Sequence, residues 1–144
     1  MSRTLDVNVL LYASNESSPE HAGAVARLEA LAAGPELVYL FWPTVMAYLR
    51  LVTHPAISVR PLPIEDAIAN VGALLARPNI RTASEGEGFW PRFREVTEDA
   101  RPSGNLVPDA HLAALMLEHG VRTIVTRDRD FRRFRHVSIE DPFG

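Results

Sequence analysis

Residues 108–130 read PDAHLAALMLEHGVRTIVTRDRD. Leu112, Leu115 and Met116 recur at helical spacing from Asp109 to His119, and Gly120 supplies the residue that ends such a helix. Val121 to Thr126 then forms a short β-branched run that reads as a buried strand. A helix that stops on glycine and passes directly into an apolar strand is half of a βαβ unit. Two acids flank it: Asp109 opens the helix after Pro108, and Asp128 comes two residues after the strand, with Asp130 behind it.

Outward from this stretch the same alternation repeats. Thr4 to Tyr12 (TLDVNVLLY) reads as a buried strand with one acid, Asp6, inside it. Ser18-Pro19 has the form of an N-cap with proline at the first helical position, for a helix carrying Val25, Leu28 and Leu31 and stopped by Gly34. Leu37 to Phe41 is a second strand. Pro43 opens a helix that runs to about Val52 and ends at His54-Pro55. Pro63 to Ala76 carries Ile64, Ile68, Val71 and Leu75 on one helical face. Ile80 to Ala83 is a short strand, Gly86 to Asp99 a helix, Pro102 to Pro108 a loop, and Val137 to Ile139 a last strand after a short turn or helix to Phe134. Strands alternating with helices predict an α/β fold around a parallel sheet, with the site at the carboxyl ends of the strands.

Composition narrows the chemistry. The 144 residues fit one domain, and 47% apolar with 23% charged residues are ordinary values for a globular chain. There is no cysteine, hence no disulfide, thiolate metal site or cysteine nucleophile. All 15 basic residues are arginine. That excludes a Walker-type phosphate lysine and Schiff-base chemistry. Val38 to Leu49 is the longest nearly apolar run, too short for a bilayer, and Asp6 sits where a leader's apolar stretch would be. The expectation is a soluble, cytoplasmic protein without a membrane contact.

Charge is unevenly spread. The net charge is −3, yet residues 127–135 hold five Arg against two Asp. Arginine binds phosphate through two parallel hydrogen bonds, so this patch suits a polyanion; it also reads as an ordinary solvated face of an arginine-only chain.

The acids carry the argument. A carboxylate inside an apolar strand is costly unless it is paired or binds a cation, which singles out Asp6. Asp109 reads either as a ligand or as a helix-start residue, and Asp128 as a ligand or as a turn residue paired to Arg127 or Arg129. Oxygen ligands without cysteine or a histidine set suit Mg²⁺ or Mn²⁺ rather than zinc. On an extended strand Asn8 would share the face of Asp6, placing it to bind a metal water or substrate. Thr126 is placed to position the same water, or is only a good strand former. His111 and His119 are eight apart, not the spacing of a zinc helix. Phe89, Trp90 and Phe93 read as core or subunit contact in preference to a base-stacking platform.

Taken together, LDVNVLLYA, GNLVPDAHLAALMLEHG and TIVTRDRDF resemble the PIN-domain ribonucleases, specifically the VapC toxins of type II toxin–antitoxin systems. PTVMAYLRLVTHP resembles the second helix of one VapC subgroup. The resemblance covers the whole chain in order and length. It implies a single PIN domain over residues 1–144, a three-layer α/β/α sandwich around a mostly parallel sheet. It further implies a Mg²⁺-dependent (or Mn²⁺-dependent) endoribonuclease of structured RNA such as tRNA or rRNA, a homodimer, and inhibition by a VapB-type antitoxin seated in an apolar groove.

Carried over residue by residue, the family's acids fall on Asp6, Asp109 and Asp128 as catalytic and metal-binding residues, with Asp130 as a neighbour that assists. The sequence departs at one place. Many PIN domains carry a glutamate that would fall on Ala47 or Tyr48, and neither is acidic. One ion held by Asp6 and Asp109, aided by Asp128, is the expected arrangement.

In the implied mechanism the metal polarises the scissile phosphate and activates a water that Asp128 or Thr126 orients. Arg127, Arg129, Arg132 and Arg133 would contact flanking RNA phosphates. The alternative, motivated by the absent glutamate, is a catalytically weak or inactive module that binds RNA or antitoxin. An aspartate-based phosphatase or receiver domain is disfavoured, since both use a lysine at the phosphate.

Overall fold

The computed structural model describes residues 1–144. Five strands form one sheet: β1 (Ser2–Leu5), β2 (Leu37–Phe41), β3 (Ile80–Ala83), β4 (Thr123–Val125) and β5 (Ser138–Glu140). Their order is β3-β2-β1-β4-β5, and every pairing is parallel. The helices are α1 (Val7–Ser14), α2 (His21–Ala32), α3 (Trp42–Val52), α4 (Ile64–Leu75), α5 (Phe89–Ala100) and α6 (Val107–His119). The sequence expectation of an α/β fold with a flanked sheet holds, and the sheet is wholly rather than mostly parallel.

Both faces of the sheet are covered, which is why its strands read as continuous apolar runs. Successive side chains of a strand point to opposite faces. Val38 and Leu40 of β2 join Leu5, Val9, Val45 and Tyr48 in a core beneath α1, α3 and α4. Phe41, together with partly buried Tyr39, faces a second core built on α5 and α6, with Leu115, Met116, Ile124 and Phe131. Neighbouring Ile124 and Val125 divide between the two cores in the same way. Each fully buried aliphatic or aromatic side chain contributes about 1.5–3 kcal/mol.

The strand order fixes where a site can form. The chain winds outward from β1 through β2 to β3, then crosses back to lay β4 against the other side of β1. Loops leaving β1 and β4 therefore diverge at their carboxyl ends, and the crevice between them is the usual binding place of an open α/β sheet.

One element departs from the sequence reading. Thr4 to Tyr12 is not a single strand: β1 ends at Leu5, and α1 begins at Val7. Asp6 is the turning point, extended at φ −73° and ψ 144° as the N-cap of α1. A short apolar run looks alike as strand or buried helix, and periodicity cannot separate them. Here Val9 and Leu10 are adjacent and both buried, which one face of a strand does not allow but a helix does.

Smaller differences follow local chemistry. Helix α2 starts at His21 rather than after Ser18, because the Ser18 hydroxyl accepts from the Glu20 backbone N–H in a turn ahead of the helix. Gly34 (φ 78°) follows α2 in the left-handed region, as its stop role requires. Helix α5 begins at Phe89, three residues later than expected. The Pro102–Pro108 loop contains a 3-10 turn at Gly104–Leu106, and α6 already begins at Val107, so Asp109 lies in its first turn. No helix is long and apolar enough to cross a membrane.

Candidate metal centre

Asp6 stands one residue beyond β1. Its backbone N–H donates to the Val125 carbonyl at 3.0 Å, extending the β1–β4 pairing into the crevice. Its carboxyl is nearly enclosed, with the residue 8% exposed. The Thr126 hydroxyl donates to Asp6 Oδ2 at 2.7 Å. The same hydroxyl oxygen accepts from the Asp128 backbone N–H at 2.9 Å. Asp128 Oδ1 in turn accepts from the Asp130 N–H at 2.9 Å and so caps the 3-10 turn Arg129–Arg133. One buried threonine thus locks the acid after β1 to the loop after β4.

Asp109 reaches the crevice from α6. Proline in the first turn sets the entry of that helix, and Asp109 lies near its positive end. Carboxylate oxygens of Asp109, Asp128 and Asp130 lie within 4.8 Å of one another. Asp6 falls outside that closest triplet, yet its charge acts on Asp109, and the charge of Asp128 acts on Asp6.

The electrostatics follow from burial and from crowding. Burial first, and then the charges of Asp128, Asp6 and Asp130, push the Asp109 carboxyl up to about 6, opposed by Arg133. Burial also raises Asp6; its Thr126 hydrogen bond and the backbone amides of Asn8 and Val7 act the other way, while Asp128 adds repulsion. None of the four acids forms a salt bridge, although arginines surround them. The alternative that Asp128 pairs with Arg127 or Arg129 is therefore not realised: Arg127 pairs with Glu20 instead, at 3.5 Å. An all-oxygen, uncompensated acid set fits a hard divalent cation such as Mg²⁺ or Mn²⁺.

Other residues singled out in the sequence distribute as follows. Asn8 lies in the first turn of α1, exposed, beside the Asp6 cap; it does not share a strand face with Asp6, because there is no strand there. Arg127, Arg129 and Arg132 line a recess of about 420 Å³ beyond β4 and β5, with Arg135 and Thr126. Arg133 lies outside that recess, and its charge opposes the rise at Asp109. Ala47 and Tyr48 bring no carboxylate, nor does any other residue of α3; the Tyr48 hydroxyl is bonded to Ser14 at 2.6 Å and receives the Asn70 amide at 3.1 Å.

The histidines serve structure. His111 meets Glu85 at 2.5 Å, His119 bonds the Ser84 carbonyl, and His136 bonds that of Ala113. Phe89 and Phe93 pack on the core, while Trp90 stacks outside them. Two participants escaped the sequence reading. Arg135 belonged to the arginine run but was not separated from it. Phe143, whose ring lies 5.1 Å from the Arg127 guanidinium carbon, gave no local signal at all.

A parallel sheet ordered 3-2-1-4-5, with acids gathered beyond its two central strands, defines the class as PIN-like, and the PIN domain family model matches residues 4–137. Ribonuclease VapC48 of Mycobacterium tuberculosis is 50% identical over 144 residues, covering 100% of this chain and 99% of the relative. Ribonuclease VapC43 of the same organism is 38% identical over 138 residues, covering 96% and 93%. Among solved structures, VapBC2 from Rickettsia felis bound to a DNA fragment from its promoter superposes with a TM-score of 0.69 at 18% identity, covering 97% of this chain and 98% of that one. The chain belongs to the VapC ribonucleases of the PIN-domain family.

Proposed function

We propose that this chain is the toxin of a VapBC-type toxin–antitoxin pair, an endoribonuclease that hydrolyses phosphodiester bonds of structured RNA, tRNA or rRNA, at the crevice beyond β1 and β4. The observation that carries the reading is the set of four acids from three separate elements, crowded and unpaired. Unpaired buried carboxylates destabilise a fold, and a divalent cation removes that penalty.

Asp6, Asp109 and Asp128 hold the ion, with Asp130 beside them, and Mg²⁺ is the natural occupant (Mn²⁺ has the same ligand chemistry). When bound, it supplies Lewis-acid polarisation of the scissile phosphate and a more acidic water. The protein supplies positioning. Thr126 fixes the rotamer of Asp6 and the backbone of Asp128 through one hydroxyl. Asn8, exposed in the first turn of α1 two residues beyond Asp6, is assigned to water or substrate. Arg127, Arg129, Arg132 and Arg133 hold the flanking backbone, which gives affinity without base identity.

The partner is a VapB-type antitoxin. A largely apolar groove of about 310 Å³ runs between α1, α2, α3 and α4, with Leu28, Val45, Val71 and Leu74 in its walls. Such a groove suits the apolar face of a short helix. A second copy of the chain, in a homodimer, is part of the same proposal.

Incubating purified, antitoxin-free protein with total cellular RNA, in Mg²⁺ and in EDTA, and mapping new ends by sequencing tests the reading. Discrete cuts only in Mg²⁺ are expected. Folded protein that binds RNA and cuts nothing would instead favour a binding module and make the missing α3 carboxylate its reason.

A further inference from the structure

We propose that the recess lined by Arg127, Arg129, Arg132 and Arg135 is a discrete phosphate subsite, which seats one non-scissile phosphate of a single-stranded RNA segment and so sets which bond lies over the acids. The inference rests on the nuclease reading for its consequence but not for its chemistry.

Four arginines line an open recess of about 420 Å³, together with Thr126, Phe134 and Ile139. One carboxylate, Asp141, also lines it, leaving a local excess of three positive charges. Arg129 and Arg132 form no salt bridge, and the contacts of Arg127 to Glu20 (3.5 Å) and Arg135 to Asp99 (3.4 Å) are long. Arginines that line one space, two without an acid partner and two only loosely paired, suit a tetrahedral anion better than a carboxylate network does.

Arg127 is also held in place rather than free. Its guanidinium carbon stands 5.1 Å from the centre of the Phe143 ring. Phe143 packs at 6.1 Å from Tyr12 of α1. It lies so close to α2 that a Cβ on Gly23 would come within 2.8 Å of the ring. Glu20, bonded to Ser18 at 2.5 Å, faces Arg127 from the same side. The segment after β5 thus braces one wall of the recess.

Position gives the subsite its meaning. Thr126 lines the recess and is bonded to Asp6, so the anion space and the acid cluster are back to back across one residue. Arg133 lies outside the recess and acts on Asp109. The arginine run therefore divides: one member attends the acids, and four hold a phosphate beside them.

The test compares Arg132→Gln/Arg135→Gln with a control pair of equal charge loss, Arg77→Gln/Arg94→Gln, on α4's exit and on α5. Binding of a fluorescein-labelled oligouridylate is followed by anisotropy in EDTA across a salt series. The recess pair should bind about tenfold more weakly and lose about 0.7 in log–log salt slope per phosphate released, while the control pair matches wild type. Equal losses in both pairs, or none in either, would overturn the subsite. A parallel cleavage series uses mapped substrates with a single neutral methylphosphonate. One non-scissile position should slow the wild type and leave the recess pair no slower; a flat scan in a protein that cuts RNA counts against the subsite alone. No cleavage, with the binding difference intact, would remove the nuclease reading and leave the anion site standing.

Discussion

Thr126 ties the site together with a single hydroxyl that donates to Asp6 and accepts from the Asp128 amide. Thr126→Val keeps the shape and deletes both bonds, stranding a buried carboxylate oxygen and an amide. We expect a loss of about 2 kcal/mol in urea unfolding, with Thr126→Ser restoring most of it. Asp109 makes the opposite prediction. Its carboxyl, raised from 3.8 to about 6, keeps its proton in the folded state over a range where the unfolded chain has lost it. Stability from this group is therefore full below about pH 4 and is lost as pH rises through about 6. Asp109→Asn should stabilise the metal-free protein at pH 7.5 by about 1 kcal/mol, discounted for the half-exposed site, and do little at pH 4. Added Mg²⁺ should raise the melting temperature of the wild type and not of Asp109→Asn. A variant less stable than wild type at pH 7.5 would mean that neither burial nor the neighbouring acids penalise the ionised Asp109.

At the scale of elements, α5 ends on Arg101 at φ 48° and ψ 56°, a left-handed cap that favours glycine. Arg101→Gly should stabilise the protein by about 0.5–1 kcal/mol in urea titrations, and a loss would show that the arginine side chain has contacts worth more than the strain. Elements with their own punctuation were legible in the sequence. Helix α6 has proline at its start, apolar spacing within and glycine at its end, and strands β2 and β3 stand to the residue as expected. The first element was not, because TLDVNVLLY holds no glycine or proline to mark the turn at Asp6. What divides it is the tertiary requirement that the chain leave the sheet at the crevice. The structure places Asn8 in the first turn of a helix where the sequence predicts a strand face, and leaves Asp6 at the end of β1 beside the crevice. The contact of Phe143 with Arg127 spans sixteen positions and had no local trace.

At the scale of the molecule, the proposed function gives the two ends of one fold separate duties. The crevice at its carboxyl end gathers acids and arginines, and the α1–α4 face leaves an apolar groove away from them. If the groove seats the antitoxin as proposed, inhibition and catalysis separate by mutation. Leu74→Glu places a charge in the groove and should weaken inhibition by co-expressed antitoxin about tenfold or more, measured as RNA cleavage against antitoxin concentration. Unchanged inhibition would place the antitoxin elsewhere.

The central claim is that the crowded acids hold the ion that makes this chain a ribonuclease. Its most direct measurement is cleavage of total RNA by wild type, Asp6→Asn and Asp109→Asn across a Mg²⁺ titration, with Mn²⁺ binding followed in parallel. We predict discrete cuts whose rate tracks ion occupancy in the wild type, and loss of both cutting and binding in the two folded variants. Cutting that persists in EDTA, or in Asp6→Asn at the wild-type rate, would contradict it.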